Sequence, residues 1–226
     1  MEPFDGTSDG ERLFGAALEQ LRSTHDAVGL ARALSVFTAL AEELAETVDA
    51  PVLACRAGCP YCCVLNVTVL LPEAAAIAAR LALSLTATEY ADFTARLDGQ
   101  RMRVRWMEDG ERVRRQYGCP FLNGVGSCSI HPFRPLMCRG ITSIDSILCR
   151  EALDPTELDV PGAVPMDLAR KTIMDEAFLA LARAVADCGM EARGIELSAG
   201  VGAFLARPGL SEKLLAGERL PDWLWE

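Results

Sequence analysis

The chain has 226 residues, half of them hydrophobic, so it can form one large domain or two small ones with an ordinary core and no disulfide staples. Its formal net charge of −10 and pI of about 4.8 argue against general nucleic-acid binding. Residues 1–10 are acidic and lack the apolar core of a signal peptide, and no apolar run reaches the length of a membrane span. We therefore expect a cytoplasmic protein without membrane contact, whose thiols are kept reduced. The arginine-rich, lysine-poor composition favours a bacterial source.

Two amphipathic helices are predicted before Pro51, because apolar residues recur there at helical spacing. The first apolar stripe is Leu13, Ala17, Leu18 and Leu21, and the second is Leu30, Leu34, Phe37, Leu40, Ala41 and Leu44. Both helices are expected to pack on the core.

Four cysteines then lie within nine residues, at Cys55, Cys59, Cys62 and Cys63. Thiols this close together favour a metal site over buried free thiols or a disulfide framework. The total of nine cysteines is also odd, which a full set of disulfides cannot use. Pro60 is predicted as the first residue of a short helix. Its first turn would hold the adjacent cysteines near backbone N–H groups that favour thiolates.

The region from 64 to 117 is predicted to be mostly helical. The β-branched run 64–70 is ambiguous, but the Leu-Pro-Glu sequence at 71–73 is typical of a helix start. Thr86 or Thr88 can cap the next helix. For residues 101–117 we prefer helix to a hairpin turning at Asp109, since arginine, methionine and glutamate form helices well. Six arginines in this stretch either form a solvated face or hold a phosphate or acidic substrate.

The second cysteine region is predicted to be rich in loops. An Asn-Gly turn at 123–124 suggests a small hairpin that brings Cys119 and Cys128 to the same end of the molecule. The prolines at 132 and 135 are expected to keep the chain extended up to a turn that holds Cys138. A break near Gly140, with Thr142 or Ser143 as cap, would start another helix. That helix would return Cys149 to the metal region, although a plain buried thiol is the alternative.

The C-terminal third is predicted to be helical. A long helix from about 166 to 186 has an apolar side formed by Leu168, Ile173, Phe178, Leu181 and Val185. Cys188 and Gly189 are expected to end it, and two shorter helices follow near 197–205 and 211–215. Trp223 and Trp225 are expected to be packing residues.

The number of thiols exceeds what a single mononuclear metal ion needs. Without the isolated Cys188, eight cysteines remain, enough for two four-thiolate sites, or for one iron–sulfur cluster with thiols to spare. The adjacent pair Cys62 and Cys63 suits two metals or two irons better than one zinc ion, because neighbouring helical residues point about 100° apart. His131 is either a structural hydrogen-bonding residue or an additional ligand.

Two arginines flank the turn that holds Cys138. Arg134 and Arg139 could balance the charge of a cluster or hold an anionic substrate or cofactor. The alternative is a salt bridge that braces the loop.

These motifs resemble the bacterial YkgJ-type cysteine-cluster family, a zinc- or iron-chelating domain to which flagellin lysine N-methylase looks distantly related. The resemblance covers about residues 52–150 and rests on the CxxxCxxCC motif at 55–63, Cys-Pro-Phe-Leu at 119–122 and the segment from 126 to 139. It implies metal or iron–sulfur binding and fixes no reaction. The residues it implies as ligands are Cys55, Cys59, Cys62, Cys63, Cys119, Cys128 and Cys138.

The sequence as a whole predicts a mainly α, single-domain protein over 1–226, with a small loop- and hairpin-rich metal core at about 52–150 between N- and C-terminal helices. We expect an iron–sulfur cluster or iron centre held by the eight cysteines, with a catalytic or redox role. The alternative is a structural or trafficking zinc module without catalysis. The substrate or partner would be an unidentified small molecule or protein, with no general nucleic-acid binding.

Overall fold

A computed structural model describes residues 5–47, 51–156 and 164–225. Within these ranges the chain is mainly α, as predicted, with ten α-helices and one two-stranded antiparallel sheet. The helices are α1 (Gly6–Arg22), α2 (Ala27–Thr47), α3 (Leu71–Ser84), α4 (Ala87–Val104), α5 (Asp109–Arg115), α6 (Leu136–Gly140), α7 (Ser146–Ala152), α8 (Leu168–Asp187), α9 (Leu197–Ala206) and α10 (Gly209–Leu215). The strands are β1 (Thr68–Leu70) and β2 (Gly194–Glu196), and 3-10 turns lie at Tyr61–Val64, His131–Phe133 and Asp222–Leu224.

The two predicted N-terminal helices are present. The Asp5 carboxylate accepts a hydrogen bond from the Thr7 N–H at 3.1 Å and so caps α1. The fully buried residues Leu13 and Ala17 lie on the side of α1 that packs against α8. Helix α2 buries its own predicted stripe and packs against α3, so the N-terminal helices cover one side of the core.

The central helices begin where the sequence indicates. Helix α3 starts at Leu71 with Pro72 in its first turn. Thr86, not Thr88, caps α4, because its hydroxyl accepts from the Glu89 N–H while the Glu89 carboxylate accepts from the Thr86 N–H. The preference for helix over a hairpin in residues 101–117 is confirmed. Helix α4 runs to Val104, and α5 occupies the proposed turn.

Three local predictions were wrong. The chain is not extended at 131–133, which form a 3-10 turn with Pro132 near its start, where its missing N–H costs nothing, whereas Arg134 and Pro135 are extended as predicted. The cap of α7 is Asp145, whose carboxylate accepts from two N–H groups of the first turn, so neither Thr142 nor Ser143 has that role. Leu168 is 72% exposed, because it lies five positions and about 140° around the helix from the buried Ile173.

The buried side of α8 combines three alanines with larger apolar residues such as Ile173 and Leu181, and Cys188 with Gly189 ends the helix as predicted. One hydrophobic cluster extends from α1 through α3 and α8 to the C-terminal 3-10 turn. In the described ranges, no helix is both long enough and apolar enough to cross a bilayer. The expectation about a signal peptide concerns residues 1–10, of which 1–4 lie outside the described ranges.

Candidate metal centre

The two cysteine-rich stretches meet through backbone contacts. The Cys119 N–H donates to the Cys63 carbonyl at 2.7 Å, which joins the end of the first motif to the start of the second. The predicted hairpin is confirmed, with Leu122 paired to Cys128 across the Asn-Gly turn. Gly126, at the tip of the hairpin, has a φ of +75°, and a Cβ there would lie 3.4 Å from the Gly58 carbonyl oxygen. The hairpin tip therefore lies directly on the loop that contains the first motif.

A third segment joins them from the far side. The Ala54 N–H donates to the Ser143 carbonyl at 2.9 Å, and the Ser143 N–H donates to the Cys55 Sγ at 3.4 Å. Helix α7 starts three residues after Ser143 and carries Cys149, which is 8% exposed. The break after Gly140 therefore returns Cys149 toward the first motif, as predicted, whereas its role as a ligand stays a prediction.

The adjacent cysteines lie in a 3-10 turn of four residues, Tyr61–Val64. Pro60 precedes this turn as its N-cap and is not its first residue. The thiols of Cys62 and Cys63 are hydrogen-bonded to each other. That hydrogen bond, with the charge of Arg134, lowers the pKa of Cys62 to about 7 despite burial, and it raises the pKa of Cys63. One thiol of the pair therefore ionises far more readily than the other.

Mutual electrostatics divide the eight thiols into two groups. The first, which we call the inner group, comprises Cys62, Cys63, Cys119, Cys128 and Cys138. Burial raises the pKa of Cys119 to about 12 and raises that of Cys138 as well. Each of these two thiols also feels the charge of other members of the group.

The second set, the outer group, comprises Cys55, Cys59 and Cys149. Burial, followed by the charges of Cys62, Cys59 and Cys55, raises the pKa of Cys149 to about 11. The charge of Cys62 thus acts on thiols of both groups. Cys55 is exposed, so the outer group includes the solvent-facing side of the site.

Arg134 provides positive charge for the inner group. Its charge favours the thiolates of Cys62, Cys128 and Cys138. Its Nε is buried and has no hydrogen-bond partner in the described part of the chain. A buried N–H without an acceptor is costly, so this nitrogen is available to a thiolate or to an anion held at the site.

Arg139 braces the loop instead. Its three guanidinium nitrogens donate to the carbonyls of Arg134 and Pro132 and to the Glu42 carboxylate, each at 2.9 Å. Glu42 also pairs with Arg170, and the two cations lower the pKa of Glu42 against the effect of burial. In the folded chain Arg139 therefore forms the loop-bracing salt bridge, which was the alternative interpretation. Of these two arginines, Arg134 is the one with a buried nitrogen that is unpaired within the described ranges.

The remaining candidates lie at the margin. His131 is exposed, and partial burial together with the charges of Arg134 and Arg139 lowers its pKa, which favours the neutral imidazole. Its role as a ligand stays a prediction. Cys188 ends α8, and the charges that act on its thiol come from Arg22 and Asp187 and not from another cysteine. The structure thus leaves Cys188 apart from the two groups.

Sequence reasoning missed two buried ionic residues that hold these segments together. Arg112 is 2% exposed and donates to the Asn66 side chain at 2.9 Å, to the Tyr117 carbonyl at 3.2 Å and to Glu196 at 3.2 Å. It thereby connects the chain just after Cys63 to the chain just before Cys119. The sequence showed it only as one of six arginines that either form a solvated face or hold an anion, and neither alternative is a buried brace between segments.

The second missed residue is Glu73, which is 4% exposed. Its carboxylate accepts from the Leu70 N–H at 3.0 Å and from the Leu136 N–H at 2.9 Å. Burial raises its pKa to about 6. Glu73 therefore fixes the start of α6, the helix that carries Cys138, although it was visible in the sequence only as an acid in the first turn of α3.

The donor set fits a thiophilic metal in kind. Eight thiols lie on three segments that contact one another, most of them partly buried and next to an arginine whose Nε is buried, and thiolates are the ligands that zinc and iron–sulfur clusters prefer. As folded, no three Cys, His, Asp or Glu side chains within the described ranges are yet arranged to hold an ion. Binding must therefore draw the thiols together and remove their protons.

The family comparison agrees with this donor chemistry. Residues 54–154 match the model of the CxxCxxCC family, whose description is "putative zinc- or iron-chelating domain". Comparisons with curated proteins and with solved structures gave no match.

Proposed function

We propose that this chain, whose residues 54–154 form a domain of the CxxCxxCC family, uses its metal-binding domain to hold iron as an iron–sulfur centre with a redox or catalytic role. The observation that carries the proposal is the convergence of eight thiols from three segments on one site. The proposed ligands are Cys55, Cys59, Cys62, Cys63, Cys119, Cys128, Cys138 and Cys149. A centre of this kind supplies electron transfer or Lewis acidity when bound.

The surplus of thiols favours iron–sulfur over a single zinc ion. A mononuclear zinc site is complete with four ligands, whereas the inner group alone has five thiols, including the adjacent pair Cys62 and Cys63. The positive charge of Arg134 offsets part of the negative charge that several thiolates would concentrate there. Its unpaired Nε is the group best suited to hold an acidic substrate or to donate to a cluster sulfur.

Exposure supports a functional role over a purely structural one. Closed structural sites are shielded, but Cys55 is exposed and opens the outer group to solvent. Two apolar side chains close in sequence to outer-group cysteines are exposed, Val52 at 92%, three residues before Cys55, and Ile147 at 58%, two residues before Cys149. A small-molecule or protein substrate could therefore reach the outer group. We further propose that the chain acts as one domain in a reducing compartment such as the bacterial cytoplasm.

The second candidate is a zinc module without catalysis. Two backbone hydrogen bonds favour it, one from the Cys119 N–H to the Cys63 carbonyl and one from the Ala54 N–H to the Ser143 carbonyl. They join the three segments into one unit, which is the task that a structural metal ion performs. In that case the metal contributes folding free energy to otherwise loop-like segments.

Anaerobic purification followed by iron, zinc and acid-labile sulfide analysis tests the proposal. We expect brown protein with iron and sulfide. Cys138→Ser should lose most of the metal, while Cys188→Ser, the matched control outside both groups, should keep it. Colourless protein with zinc and no sulfide would select the zinc module. Less than about half an equivalent of any transition metal in the wild type would refute metal binding altogether.

A further inference from the structure

A groove unrelated to the cysteines lies between α4 and α9. Its volume is about 980 Å³, near the upper end of the usual range for small-molecule sites, and none of the nine cysteines lines it. The two helices approach closely because α9 has Gly202 at the contact, where a Cβ would lie 3.2 Å from the Leu97 Cβ. Alanines on both helices, such as Ala95 on the wall and Ala199 on the floor, give the groove an apolar lining of small side chains.

Cations are concentrated along this groove in a chain whose net charge is −10. The charged residues that line it are Arg101, Arg105, Arg207 and Asp98. The single acid is already paired, since Asp98 accepts from the Arg101 Nε at 3.3 Å. Arg105 and Arg207 therefore give the groove an uncompensated positive charge.

Arg105 has an unsatisfied hydrogen-bond donor. Its Nε is buried and has no partner among the described residues, and its guanidinium lies 4.7 Å from the Trp106 ring centroid. At the other end of α9, the Arg207 guanidinium lies 4.2 Å from the Trp223 ring centroid. Because Arg105 lines the groove and pairs with no carboxylate among the described residues, an anion bound there would meet a cation that no acid neutralises.

We propose that this groove binds an amphiphilic organic anion, with its carboxylate on Arg105 and its apolar chain along the alanine floor. A single unpaired guanidinium next to an apolar floor suits a monocarboxylate better than a multiply charged phosphate, which needs several donors. The floor follows α9, whose ten residues span about 15 Å, long enough for a medium-length acyl chain. The Trp223 side chain closes part of the groove and supplies further apolar surface.

Calorimetric titration of the full chain with octanoate tests the proposal. We expect saturable binding that falls about tenfold in Arg105→Gln, because one charge-assisted hydrogen bond is lost. Octanol, with the same apolar body and no charge, should bind at least about tenfold more weakly than octanoate. Arg12→Gln, on an exposed part of α1, is the charge-matched control and should bind like the wild type.

A second variant tests the location independently of Arg105. Ala95 is exposed on the groove wall, so Ala95→Trp should fill the groove without disturbing the core and should abolish binding. The proposal is overturned by absence of saturable binding up to about 10 mM octanoate. It is equally overturned if inorganic phosphate binds as tightly as octanoate, or if Ala95→Trp and Arg105→Gln both bind like the wild type.

Discussion

Replacing Arg112 by methionine should destabilise the protein far more than the same change at Arg115 on the same helix. Arg112 is 2% exposed, and its guanidinium donates to three oxygens on three different segments. Methionine keeps much of the length and volume but has no donor. The acceptors of Asn66, Tyr117 and Glu196 would then each lose a partner.

The contacts set the size of the effect. Each lost hydrogen bond to a charged donor costs about 1.5 kcal/mol, and breaking a buried ion pair costs about 3–5 kcal/mol. Glu196 is only 21% exposed, but it keeps the Ala199 N–H as a donor at 2.9 Å, which limits the penalty for its charge. We therefore expect a loss of about 4 kcal/mol. For a chain of this size that loss lowers the Tm by about 8–16 °C.

Urea and thermal unfolding of the two variants give the comparison. The Arg115 side chain is 54% exposed and pairs with Glu111 at 2.9 Å in an i,i+4 arrangement, which contributes at most about 0.5 kcal/mol. Arg115→Met should therefore unfold almost like the wild type. If Arg112→Met unfolds within about 1 kcal/mol of Arg115→Met, the idea that Arg112 joins the segments around Cys63 and Cys119 is wrong.

Three further predictions concern the supports and the chemistry of the site. Burial raises the pKa of Glu73 to about 6, so wild-type stability should fall by about 2 kcal/mol as the pH rises from about 4.5 through 6, and this step should be missing from urea unfolding of Glu73→Gln. Gly58→Ala should lower the free energy of unfolding by about 1 kcal/mol, because the φ of Gly58 is +83°. Gly15→Ala should raise it slightly in the same assay, because Gly15 lies within α1 and a Cβ there would meet no other atom. Since the pKa of Cys119 is about 12, Zn²⁺ uptake at pH 7 should release protons, seen as a dependence of the calorimetric heat on buffer ionisation enthalpy; heats independent of the buffer would contradict this.

The sequence predicted the helices well because their signals are local. Stripes such as Leu13 and Ala17, the capping box at Thr86 and the Asn-Gly turn at 123–124 each act within a few residues. It also predicted that the chain would break after Gly140 and return Cys149, since a continuous helix would have carried that thiol away from Cys138.

What the sequence could not show depends on distant partners. Arg112 and Arg115 belong to one run of charges and look equivalent there, yet one is buried against Glu196, 84 residues away, and the other is solvated. Arg139 illustrates the same limit, because its role as a brace depends on Glu42, 97 residues earlier. Periodicity identifies a buried face only when that face is apolar, so buried ionic contacts stay invisible to it.

The raised thiol pKa values and the metal-binding role have one physical origin. Burial raises the pKa values of Cys119, Cys138 and Cys149, and the charges of neighbouring thiolates raise them further, so these three thiols stay protonated at neutral pH. Arg134 supplies one positive charge. Cys62, whose pKa is about 7, is one of the thiols on which that charge acts. A metal ion adds the missing positive charge and a bond to each thiolate at once. The burial and crowding that disfavour these thiolates therefore predict that metal binding by these residues is coupled to the release of protons.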